Sequence, residues 1–227
     1  MDSLNEVIIK LMKDNGADLV GFGDLSSIKN DELNIGVCVA VKVNKDVING
    51  IHDGPNIEYF NEYTRINNLL DNIVTIGAEF LQLKGYKAFA QTREVANYGS
   101  DLLTKFPHKT VATRSGLGWI GKCALLVTKE YGSAVRISSL LTNAPLKCDR
   151  PINNSLCGTC SQCKDCCPAG AVKGNLWNVD SKREDLFDPF ACEKKANELC
   201  MENFDVEATI CGKCIEVCPY TQKYLHE

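Results

Sequence analysis

Cysteine limits what this chain can fold into more than any other residue. Thirteen of its 227 residues are cysteine, and most lie in the last third. The densest run is Cys157-Gly-Thr-Cys160-Ser-Gln-Cys163-Lys-Asp-Cys166-Cys167-Pro168. It has the C-x2-C-x2-C-x3-C-P spacing of bacterial two-cluster iron–sulfur proteins. A second run, Cys211-Gly-Lys-Cys214-Ile-Glu-Val-Cys218-Pro219, repeats the ending of the first but lacks one cysteine upstream. Two-residue spacings let successive thiolates face one cluster from a tight loop, while the cysteine before proline is carried to the other cluster.

That crossed rule predicts one [4Fe–4S] cluster on Cys157, Cys160, Cys163 and Cys218. Cys167, Cys211 and Cys214 hold the second and need a fourth ligand. Cys192 is the first choice, with Cys200 open as a rival because spacing does not exclude it. Cys166 also continues the two-residue spacing, but Cys167 is preferred because proline follows it, as it follows Cys218. Zinc also takes four cysteines, though usually as two separated C-x2-C pairs. A third cysteine and then Cys-Pro, twice over, departs from that pattern. Cys38, Cys123 and Cys148 match no motif and read as small buried apolar residues.

Reduced thiols suit a chain that stays inside the cell. The first residues, MDSLNEVIIKLMKDNG, are amphipathic and do not resemble a secretory leader, and no apolar run approaches a membrane span. The expectation is therefore a soluble cytoplasmic protein. A formal charge of −4 gives no sign of general nucleic-acid binding.

Ahead of the cysteines, the pattern is mixed. Ser3 to Glu6 reads as a capping box opening a helix whose apolar face is Leu4, Val7, Ile8, Leu11 and Met12. Strands are expected at 17–23 and 34–43, and a long helix from Ile57 to Lys84 that Gly85 ends. Short strands are expected near 86–90, 124–128 and 134–141, with helical turns around 109–115. Apolar runs thin out beyond Pro145, so the division is drawn as 1–145 and 146–227.

Between Asp101 and Glu130 there is no acidic residue, but Lys105, His108, Lys109, Arg114, Lys122 and Lys129 lie there. The same window holds Ser115-Gly116-Leu117-Gly118-Trp119-Ile120-Gly121-Lys122. Such glycines allow a ligand close to backbone N–H groups, with Trp119 as an aromatic wall and lysines for anionic groups. The residues equally suit a tight turn with a solvated basic face. The spacing is neither a P-loop nor a dinucleotide fingerprint.

The segment Thr113-Arg-Ser-Gly-Leu-Gly-Trp-Ile-Gly-Lys122, followed by two ferredoxin-type motifs, resembles the epoxyqueuosine reductase family, which is related to corrinoid-dependent reductive dehalogenases. The resemblance implies an α+β architecture: a nitroreductase-like α/β domain that binds cobalamin, then a ferredoxin-like two-cluster domain. It implies that Arg114 and the Gly116–Lys122 loop line the corrinoid, and it supports Cys192 as the eighth cluster ligand. A low-potential donor such as ferredoxin or flavodoxin would supply electrons that pass through the clusters to cobalt, for a tRNA-linked or small-molecule substrate.

Two departures stand beside it. The family's acidic Val-Asp-Ser-type segment is replaced by Ser100-Asp101-Leu102-Leu103-Thr104, and its C-terminal helical-repeat region is not in this sequence. Asp101, His108 and Tyr98 are the candidate proton donors, although His108, beside Pro107, also suits a surface position. These departures favour a second reading, an electron-transfer or binding module without catalysis of its own.

Overall fold

The computed structural model describes residues 3–28, 32–95 and 106–227. Helix α1 (Leu4–Asp14) starts at the expected capping box: Ser3 N donates to Glu6 Oε2 at 2.7 Å, and Glu6 N donates to Ser3 Oγ at 3.3 Å. Its Ile8 and Met12 are buried, one turn apart. Strand β1 (Leu19–Asp24) pairs antiparallel with β2 (Ile35–Lys42), setting Gly21 opposite Cys38. A short helix, α2 (Lys45–Asn49), follows. Its cap is Asn44, whose side chain accepts from Asp46 N.

Helix α3 (Ile57–Leu83) is the long helix expected, and Gly85, at φ +87°, ends it. Ile66, Leu70, Ile73, Val74 and Leu81 recur at helical spacing and are buried. Each such side chain contributes about 1.5–3 kcal/mol of burial. Then come β3 (Ala88–Ala90), α4 (His108–Arg114), the β4 (Trp119–Ile120) and β5 (Leu126–Val127) hairpin, and β6 (Val135–Thr142). The main sheet has the order β1-β2-β6-β3, with β3 antiparallel to β6.

The cysteine-rich stretch carries α5 (Gln162–Asp165), α6 (Arg183–Leu186), α7 (Pro189–Phe204), α8 (Lys213–Glu216) and α9 (Pro219–His226). Sequence periodicity does not show α7, because it buries only Pro189, Ala196 and Cys200. Its start is nonetheless written in the sequence. The Asp188 side chain accepts from Phe190 N and Ala191 N, and Pro189 fills the first helical position, where no N–H is needed.

The chain forms two compact units, neither of them continuous in sequence. The first is 1–41, 66–118 and 136–152, and contains the main sheet. The second is 42–65, 119–135 and 153–227. Two segments from ahead of residue 145 therefore pack with the cysteine motifs. Within this second unit, Tyr224 Oη donates to Val43 O at 3.0 Å, and Ser133 N donates to Thr221 Oγ1 at 3.1 Å. Gly132, at φ +58°, lies so close to the Thr221 backbone that a Cβ there would collide with it.

Candidate metal centre

All thirteen cysteines are free thiols. In the first motif, Cys160 N donates to Cys157 O at 3.2 Å and Cys166 N to Gln162 O at 3.0 Å, a loop tightening into one turn of helix. Cys157, Cys160, Cys163, Cys166 and Cys167 are all half-buried along it. In the second motif Gly212, at φ +78°, turns the chain so that Cys211 and Cys214 flank the start of α8. Cys218 then caps α9 with Pro219 behind it.

The neighbours of each thiol show which cysteines come together. Burial pushes the Cys192 thiol up to about 11, and the nearby charges of Cys167, Cys211, Asp188 and Glu193 act in the same direction. Burial also raises Cys211, with Cys167 and Cys200 adding to it while Lys213 opposes. Cys192 thus feels the charges of both Cys167 and Cys211. Cys200 also neighbours Cys211, but it is fully buried and its Sγ donates to Ile210 O at 3.1 Å. A thiol that donates keeps its proton, whereas a ligand is a thiolate.

Cys163 is raised first by a hydrogen bond with Cys123 and then by burial. For Cys123, the bond with Cys163 lowers the thiol, but the bond with Cys214 and burial outweigh it. Cys123 is 8% exposed, as the sequence suggested, but it lies between one cysteine of each predicted quartet. No spacing rule could have revealed that. Cys38 is fully buried in β2, and burial raises its thiol; Cys148 is half-exposed.

Thiols gathered this way would be unfavourable as thiolates, because burial penalises each charge and the neighbours repel. Iron would supply the missing positive charge, so the donor set suits iron–sulfur clusters. Among the described residues, no group of three or more His, Cys, Asp or Glu side chains is gathered as a single metal ion would need. Assignment of the quartets therefore rests on spacing and thiol neighbours.

The glycine loop begins where α4 ends. Ser115 Oγ donates back to Val111 O at 2.8 Å, and Gly116 turns with φ +67° where a Cβ would lie 2.7 Å from Arg150 O. Arg114, Gly116 and Leu117 remain partly exposed, while Gly118, Trp119, Ile120, Gly121 and Lys122 are buried. Trp119 is fully buried and meets Tyr220 edge-on, with ring centroids 4.8 Å apart. Lys122 is 8% exposed and its Nζ donates to Cys160 O at 2.8 Å. Its ammonium therefore faces the first cysteine motif rather than a dissolved anion. For a corrinoid, this loop offers Arg114, Gly116 and Leu117 as its accessible part. An open groove of about 980 Å³ beside Glu193, Met201 and Thr209 includes none of the loop residues.

Asp101 and Tyr98 lie outside the described residues. His108, which also suited a surface position, is half-buried. Its Nδ1 lies 2.8 Å from Ser139 Oγ, and that hydroxyl donates to Gln91 Oε1 at 2.7 Å. The hydroxyl proton is committed to Gln91, so His108 donates from Nδ1. Burial, with the Arg136 charge adding and Asp71 opposing, lowers its pKa to about 4.

No protein-family model matches the chain. Among curated proteins it is similar to epoxyqueuosine reductases. It is 36% identical over 122 residues to that of Atelocyanobacterium thalassa, covering 52% of this chain and 39% of that protein. It is 35% identical over 119 residues to that of Listeria monocytogenes, covering 49% and 29%. The matched stretch thus spans less than half the length of these relatives. An epoxyqueuosine reductase solved with an epoxyqueuosine-modified tRNA-Tyr stem loop aligns with TM-score 0.59 and 21% identity, over 96% of this chain and 65% of that one. A reductive dehalogenase whose structure suggests a mechanism for B12-dependent dehalogenation aligns with TM-score 0.72 and 20% identity, over 94% and 31%. The expected resemblance is borne out, and the mixed helix-and-strand architecture is that of these two groups.

Proposed function

We propose that this chain is an iron–sulfur reductase in which two [4Fe–4S] clusters pass electrons to a bound corrinoid. The observation that carries the reading is the pair of cysteine motifs each ending in Cys-Pro, and Cys192 feels the charges of Cys167 and Cys211. The sequence left that quartet one ligand short. The predicted sets are then Cys157, Cys160, Cys163 and Cys218, and Cys167, Cys192, Cys211 and Cys214. A corrinoid, when bound, would supply the organometallic reduction chemistry. The chain's own part is to hold the clusters, exclude water from them and present Arg114, Gly116 and Leu117 toward the cofactor.

The relatives' names point to epoxyqueuosine in tRNA as the substrate class, with Asp101 as the candidate proton donor. His108 is a weaker donor, because a group with a pKa near 4 holds no second proton at neutral pH. A low-potential ferredoxin or flavodoxin would supply electrons. In this reading the division at 145/146 separates a corrinoid-binding part from a cluster-binding part.

The test is metal and cofactor analysis of anaerobically purified protein. Cys192→Ser should lower bound iron, while Cys200→Ser should leave it unchanged; the reverse result would exchange the ligand. The burial of Gly118 to Lys122 favours a second reading, electron transfer without catalysis. Cobalamin retained through gel filtration after reconstitution supports the first, and clusters without retained cobalamin the second.

A further inference from the structure

We infer that Trp119 and Lys122 are positioning residues that set the reduction potential of the cluster held by Cys157, Cys160, Cys163 and Cys218. This rests on the cluster assignment proposed above. Lys122 carries a cation into a site 8% exposed, and among the described residues it makes no ion pair; its Nζ bonds a neutral carbonyl, that of Cys160. A buried ammonium calls for an anionic neighbour.

Trp119 gives an independent indication. Its indole N–H is buried and has no partner among the described residues. Its ring packs edge-on against Tyr220, two residues beyond Cys218, the fourth member of that quartet. The β4–β5 hairpin fixes both residues: Trp119 pairs with Val127, and Gly121 N donates to Leu125 O at 2.8 Å. A four-thiolate cluster is anionic and gains a further negative charge on reduction. A fixed cation beside it, and an N–H donating to one of its sulfurs, stabilise the reduced form more than the oxidised one.

The test is an EPR-monitored redox titration of anaerobically reconstituted protein, with iron and sulfide counted for each variant. Lys122→Met should shift one of the two clusters to lower potential. A tenfold change in its reduction equilibrium corresponds to about 59 mV for one electron. Lys122→Arg should restore the wild-type value. Trp119→Phe, which keeps the ring but removes the N–H, should lower the same cluster by less. Full iron content with both potentials unmoved in Lys122→Met and Trp119→Phe would overturn the inference. So would iron loss in Lys122→Met that Lys122→Arg fails to reverse, because the lysine would then serve folding alone. Wild-type protein that takes up no iron would overturn the functional reading first, before any variant is compared.

Discussion

In the first unit, β2 buries Val37, Cys38, Val39 and Ala40 completely, and α3 covers the unit with Ile66, Ile73 and Leu81 at zero exposure. In the second, the stretch from 153 onward buries few large apolar side chains. Leu186, Ile210, Ile215 and Tyr224 are the main ones, and most of its thiols remain half-exposed. The second unit makes up part of the deficit with Ile48, Ile51, Trp119 and Leu126 from earlier in the chain. Hydrophobic burial is therefore the main support of the first unit. In the reading proposed above, the second depends on groups that bridge its thiols, as small metal-binding domains do.

The sharpest way to break this contrast is to remove a ligand. Cys160→Ser or Cys214→Ser should lower iron towards half, or unfold the second unit, as read by iron assay and hydrogen exchange. A full iron complement in either would refute the quartets. Next in size, Leu140→Ala in β6 should cost about 2–5 kcal/mol by leaving a cavity, with iron content unchanged. Iron loss there would mean that the two regions do not differ as argued.

The smallest expected effect is a pH dependence confined to the first unit. The pKa of His108 falls from 6.5 to about 4 on folding, so the unfolded chain binds the proton more readily. Its stabilising contribution is complete above pH 6.5 and declines as the pH falls towards about 4, by a few kcal/mol at most. His108→Gln should flatten that slope in denaturation curves measured across the interval. An unchanged slope would assign it to other groups.

Elements set by local chemistry were legible in the sequence. The capping box at Ser3, the valine-rich β2 and the stripe of α3 each follow from periodicity and end signals that act within a few residues. The cysteine spacings were legible for the same reason. The position of α7 was not, because its apolar face is too sparse to show a period. The surroundings of residues 119–123 were also illegible. The glycines read equally as a ligand cradle or a tight turn, and no local signal announces that Gly116 faces the Arg150 carbonyl or that a Cβ on Gly121 would meet Val127. Cys123 read as an ordinary buried thiol because its neighbours, Cys163 and Cys214, come from 40 and more residues away. His108 also suited a surface position because nothing near it in sequence announces Ser139.

The bonds from Tyr224 to Val43 and from Ser133 to Thr221 impose an order on synthesis. Residues 42–65 emerge from the ribosome long before their partners in α9, by roughly ten seconds or more at ordinary elongation rates. Through that interval Ile48 and Ile51 lack the helix that later packs beside them. Closure of this unit therefore waits until α9 has been made.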